Sequence, residues 1–109
     1  MQGIKIRIFL VDDDEIDAMS FERAVKKSGF SNYQFTHGKN ATEALDELSR
    51  NEFDCIFLDY QLPGVDGLEL LKKIREIGVN TPIAVMTSQG DEKIAVEMRK
   101  AGAFDYFPK

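Results

Sequence analysis

Two kinds of apolar spacing alternate along this chain. Residues 4–11 form a β-branched, apolar run that predicts a strand. Residues 15–28 carry Ala18, Phe21 and Val25 at the i, i+3, i+7 spacing of one helix face, and Gly29 ends that helix. A short strand follows over 33–37. Next comes a helix from Asn40 or Ala41 to Arg50, with Ala41, Ala44, Leu45 and Leu48 on one stripe. Residues 54–58 read as a strand buried on both faces. After a loop with Pro63 and Gly64, residues 67–77 predict a helix that turns Leu70, Leu71, Ile74 and Ile77 inward. A fourth strand over 82–86, a helix over 91–101 with Ile94, Met98 and Ala101 on one face, and a last strand over 104–107 complete the order.

Strict β-α alternation with short connections implies a parallel sheet, right-handed crossovers and helices on both faces. Such sheets bind ligands beyond the carboxyl ends of their strands, so the residues standing there matter most. The first strand ends in Asp12-Asp13-Asp14, the third in Asp59, the fourth in Thr87-Ser88 and the fifth in Lys109. Each group has an ordinary reading by itself. Asp14 is placed to cap a helix, Asp59 precedes a Pro-Gly turn, Thr87-Ser88 could cap the fourth helix, and a terminal lysine is usually solvated. Their gathering on one edge is what points to chemistry.

Carboxylates brought together repel by roughly 4 kcal/mol per pair at ~4 Å and an effective dielectric near 20. A carboxyl must then titrate upward or a cation must sit among them. All the donors on offer are oxygens, which suits a hard ion such as Mg²⁺. A metal, a hydroxyl and a lysine together favour phosphoryl oxygens, and one carboxylate can serve as the nucleophile to give an aspartyl-phosphate. His37 closes the second strand and reads as ordinary surface or packing, not as a base. The charges of Glu69, Lys72, Lys73 and Glu76 read as a solvated helix face.

The bulk numbers narrow the class. At 109 residues and 43% hydrophobic content the chain is expected to be one domain, residues 1–109. A net charge of -5 argues against a sequence-independent nucleic-acid binder. One cysteine and one histidine exclude an internal disulfide and argue against a structural zinc site; Cys55 reads as a buried core thiol. With no run of 18 apolar residues and no leader pattern, a cytoplasmic protein without membrane contact is the expectation.

The chain also resembles, over its whole length, the receiver domain of two-component response regulators. The resemblance rests on Phe9-Leu10-Val11-Asp12-Asp13-Asp14, on Leu58 to Gly67, on Val85-Met86-Thr87-Ser88 and on Gly102 to Lys109. It implies a flavodoxin-like α/β fold: a doubly wound, five-stranded parallel sheet of order 2-1-3-4-5. By this resemblance Asp59 is the phosphoacceptor. Asp12, Asp13, Asp59 and the main-chain carbonyl of Gln61 hold Mg²⁺ or Mn²⁺. Thr87 and Tyr106 form the switch, Lys109 pairs with the phosphate, and Gln61 and Gln89 tune phosphoryl lifetime. The implied donor is a sensor histidine kinase or histidine phosphotransfer protein, with a homodimer or a fused output domain as further partners. The family usually runs on to a fifth helix. This sequence ends at Lys109, before that helix, which predicts a bare patch on the sheet face that the first helix covers.

Two rival readings use the same residues. A pseudo-receiver would keep the fold as a protein-binding module without phosphorylation. A phosphatase of the haloacid dehalogenase type would want a second aspartate two residues after the nucleophile, where this chain has Gln61.

Overall fold

A computed structural model of the chain describes residues 5–29, 31–88 and 92–108. The elements run β1 (Ile6–Val11), α1 (Glu15–Lys27), β2 (Tyr33–Gly38), α2 (Ala41–Arg50), β3 (Cys55–Asp59), β4 (Gln61–Leu62), β5 (Val65–Asp66), α3 (Gly67–Glu76), β6 (Ile83–Thr87), α4 (Glu92–Lys100) and β7 (Asp105–Pro108). Five strands form one sheet in the order β2-β1-β3-β6-β7, with every neighbouring pair parallel. This is the doubly wound order 2-1-3-4-5 implied by the resemblance. β4 and β5 are an addition to it. They form a two-residue antiparallel hairpin in the segment read as a Pro63-Gly64 loop.

Local chemistry sets the helix starts. Asp14 Oδ1 accepts from the N–H groups of Ile16 and Asp17, Asn40 Oδ1 from that of Glu43, and Asp66 Oδ1 from that of Glu69. Glu43 Oε1 in turn accepts from the N–H of Lys39, the residue before the cap, which ties down the entry to α2. In α1, Glu15 and Asp17 in the first turn and Lys26 and Lys27 in the last complement the helix dipole.

The alternation of strand side chains divides the interior. Phe9, Val11, Ile56, Leu58, Ile83 and Val85 belong to the larger core, with Leu48 of α2, Leu70, Leu71 and Ile74 of α3 and Met98 of α4. On the other face, Leu10 and Met86 pack with Ala18 of α1, and Phe21, Phe35 and Phe57 flank them. Leu10, Phe21, Met86 and Pro108 line an open groove of about 420 Å³ on that face.

One strand and one residue depart from the expectation set by the sequence. β3 is not buried on both faces, because Cys55 and Phe57 are only half-buried. Burial nonetheless pushes the Cys55 thiol up, with the Asp54 charge adding to it. Ile77 does not turn inward: α3 ends at Glu76, and Ile77 is the capping residue, 51% exposed.

Candidate functional site

The carboxyl edge of the sheet brings the acidic groups together. Asp12 follows β1 and Asp59 ends β3; both are buried, at 1% and 5% exposure, whereas Asp13 is exposed. Ligand oxygens of Asp12, Asp13 and Asp59 all lie within 4.8 Å of one another. Hard oxygen donors from three carboxylates, one of them open to solvent, suit a small divalent cation that keeps part of its water shell.

The three successive aspartates divide their work. Asp12 Oδ1 accepts from the N–H of Asp14 at 2.9 Å, so the chain turns sharply out of β1. Asp14 then caps α1. Asp13 lies between two residues committed to local hydrogen bonds. Across the sheet, Asp59 Oδ1 accepts from the N–H of Gln61 at 3.1 Å. The N–H of Tyr60 donates to the carbonyl of Met86 at 2.8 Å, so the chain leaving Asp59 stays tied to β6.

The return into α3 is equally tight. The N–H of Gly67 meets the carbonyl of Tyr60 at 2.6 Å. A β-carbon at Gly67 would lie 2.7 Å from Tyr60 Cα and 3.1 Å from the Asp59 carbonyl oxygen, so only glycine fits the approach of α3 to the site.

Thr87 ends β6 one residue beyond Met86, the register partner of Asp59, and is buried at 1% exposure. Gln61 is exposed in β4, and its side-chain oxygen accepts weakly from Ser88 Oγ at 3.4 Å. Tyr106 lies in β7 opposite Val85, half-buried against the larger core. Asp12, Asp13, Asp59, Gln61 and Thr87 therefore share one edge, with Tyr106 on the neighbouring strand. Lys109 and Gln89 lie outside the described residues.

One contact at this edge has no sign in the sequence. His37 is half-buried, and its Nε2 lies 2.6 Å from the main-chain carbonyl of Asp12. Nearby, Lys39 Nζ and Glu15 Oε1 pair at 2.6 Å. That pairing holds the Glu15 carboxyl below its ordinary range and raises the Lys39 ammonium.

A doubly wound parallel sheet with an acidic cluster and a buried threonine at its carboxyl edge defines a class of small α/β signalling domains. The chain belongs to the response regulator receiver domain family, whose model matches residues 8–109. It is 39% identical over 101 residues to the DNA-binding transcriptional regulator NtrC of Klebsiella pneumoniae, covering 93% of this chain and 21% of that protein. It is 36% identical over 105 residues to the transcriptional regulatory protein FixJ of Bradyrhizobium diazoefficiens, covering 96% of this chain and 50% of FixJ. The chain thus spans between about a fifth and a half of these curated relatives. Among solved structures it is similar to a response regulator protein from Burkholderia pseudomallei with a phosphorylated aspartic acid, calcium ion and citrate. That match has a TM-score of 0.84 and 27% identity, and covers 96% of this chain and 60% of the other. Among the described residues, no helix is long and apolar enough to cross a membrane.

Proposed function

We propose that this receiver domain accepts a phosphoryl group on Asp59 from a phosphohistidine of a sensor kinase or phosphotransfer protein, and signals by the change in shape that follows. The observation that carries this reading is the convergence of Asp12, Asp13 and Asp59 within 4.8 Å at the edge where Thr87 is buried. In the transfer, a carboxylate oxygen of Asp59 forms a bond to phosphorus while the phosphorus–imidazole bond breaks, and the histidine keeps the bonding pair. Asp12, Asp13, Asp59 and the Gln61 carbonyl would hold Mg²⁺ or Mn²⁺, which supplies charge neutralisation to the phosphoryl oxygens. Thr87 donates a hydrogen bond to the new phosphoryl group and Lys109 pairs with it.

The switch is a population shift. A phosphoryl group that meets Thr87 in only one of two arrangements favours that arrangement, and Tyr106 moves with it. Residues 1–109 act as one domain whose only chemistry is its own phosphorylation and dephosphorylation, in the cytoplasm. A fused output domain fits the greater length of NtrC and FixJ.

The test is incubation with phosphoramidate and Mg²⁺, read by intact mass. The expected product is one phosphoryl adduct on the native chain and none on Asp59→Asn. A native chain that takes no adduct, or an adduct that survives Asp59→Asn, overturns the proposal and favours the pseudo-receiver.

A further inference from the structure

Asp12 sits where the β1–β2 ladder runs out. Its N–H still donates to the carbonyl of Gly38 at 3.0 Å. The register pairs Leu10 with His37 and Val11 with Gly38 and goes no further. Beyond Gly38 the chain turns through Lys39 to Asn40, the cap of α2. At this point a side chain takes up the pairing: the imidazole Nε2 of His37 meets the Asp12 carbonyl at 2.6 Å. A carbonyl oxygen can only accept, so Nε2 carries the proton and donates it.

We propose that His37 is a positioning residue for the acidic pair, holding the Asp12 carbonyl so that the turn presents Asp12 and Asp13 to a divalent cation. This rests on the metal-binding reading of the site given above. With the Asp12 carbonyl held by His37 and Asp14 committed to the cap of α1, the exposed Asp13 carboxylate starts from a backbone fixed on both sides. The anchor is itself firm. A β-carbon at Gly38 would lie 2.9 Å from Phe9 Cζ, and Phe9 is fully buried and stacked on Phe53 at 4.8 Å. Any side chain at residue 38 would collide with that packed ring, so glycine lets the end of β2 lie close over Phe9.

The other side-chain link in this region, Lys39 to Glu15, is exposed at both ends, with 52% and 67% side-chain exposure. Exposed pairs of this kind hold little. His37 is thus the stronger tether between the end of β2 and the metal-binding turn. Partners that orient a metal-binding group from behind typically change metal affinity by 10- to 100-fold when removed, as an order of magnitude. His37 grips a main-chain carbonyl and not a ligand oxygen, which places the expected effect at the lower end of that span.

The experiment uses Mn²⁺ alone, titrated into the 109-residue chain and followed by the paramagnetic resonance of the free ion. Native protein, His37→Ala, His37→Gln and Asp13→Asn are compared at one ionic strength. Glutamine keeps an N–H donor with similar reach, so it separates the hydrogen bond from the ring. The expected result is an affinity lower by about tenfold in His37→Ala, restored to within about twofold in His37→Gln, and lost in Asp13→Asn. In metal-free protein, long-range proton–nitrogen spectra should show the Nε2–H tautomer of His37. Exchange of the Asp14 amide should quicken in His37→Ala and not in His37→Gln. Native affinity in His37→Ala, a folded His37→Gln as weak as the alanine variant, or an Nδ1–H tautomer would each overturn the inference. A native chain that binds no Mn²⁺ would instead sink the metal reading beneath it, a result distinct from all three.

Discussion

The guanidinium of Arg75, on α3, donates to the carbonyl of Gly102 at 2.6 Å, in the turn that leaves α4. Its other terminal nitrogen donates to the carbonyls of Val79 and Thr81 at 2.9 and 2.8 Å. One side chain thus closes the α3–β6 connection and fastens it to the turn before β7. Burial draws the guanidinium below its ordinary value, yet it stays charged throughout the working range.

Arg75→Met keeps much of the aliphatic stem but removes every donor. It should lower unfolding free energy by about 2–3 kcal/mol, since charge-assisted bonds to main-chain carbonyls are lost together. Arg75→Lys should recover only a part, because a single ammonium cannot span three carbonyls set in a fork. Urea unfolding checks both variants. A lysine variant equal to native protein would show that charge, and not the planar fork, holds the turn.

Gly67→Ala tests the close approach behind Asp59. The added methyl would meet main-chain atoms of Asp59 and Tyr60, which cannot rotate aside. The loop must shift, at a cost of about 1–3 kcal/mol. Phosphoramidate labelling should fall as well, because the displaced segment carries Asp59. An alanine variant that labels at the native rate would show that the loop adjusts without moving the carboxylate.

The order of elements and the gathering of Asp12, Asp13, Asp59 and Thr87 were legible in the sequence because both follow from local patterns. Alternating periods dictate a parallel sheet, and a parallel sheet brings strand ends to one edge. Asp14 was legible as a helix cap for the same local reason. What could not be read depends on long-range placement. His37 reaches Asp12 only because the register sets residue 37 opposite residue 10. The bond from Arg75 to Gly102 gave no sign, since the two lie 27 residues apart. Ile77 was misplaced because helical spacing does not reveal that α3 stops one residue earlier.

Asp54 supplies one acid-dependent contribution to stability. Its Oδ2 accepts from the main-chain N–H of Arg7 at 2.8 Å and from Arg7 Nε at 3.5 Å. These bonds, the main-chain one foremost, hold the carboxyl below its ordinary value. A lowered folded-state value contributes stability above the ordinary carboxylate range, and that stability is lost as pH falls through the folded value. Asp54→Asn should therefore lower the urea midpoint slightly near neutrality, and the gap to native protein should close below about pH 4. The effect is small because both partners are exposed. A gap that widens on acidification contradicts the assignment.

The acidic cluster predicts opposite effects of one substitution with and without metal. Asp12, Asp13 and Asp59 place three carboxylates within 4.8 Å, an arrangement that repels itself in the absence of a cation. Asp13→Asn removes one of those charges at the exposed corner and leaves the local turn bonds of Asp12 and Asp14 in place. Metal-free stability should rise by about 1 kcal/mol. Native protein should gain about 1.4 kcal/mol when Mg²⁺ is present at ten times its dissociation constant, whereas the variant should gain almost nothing. The two proteins therefore draw level or exchange order as Mg²⁺ is added. Urea unfolding at constant ionic strength, with and without MgCl₂, reads both effects in one series. If Asp13→Asn is less stable than native protein without metal, repulsion is not what the cluster stores. If it keeps the full Mg²⁺ response, Asp13 is not among the ligands.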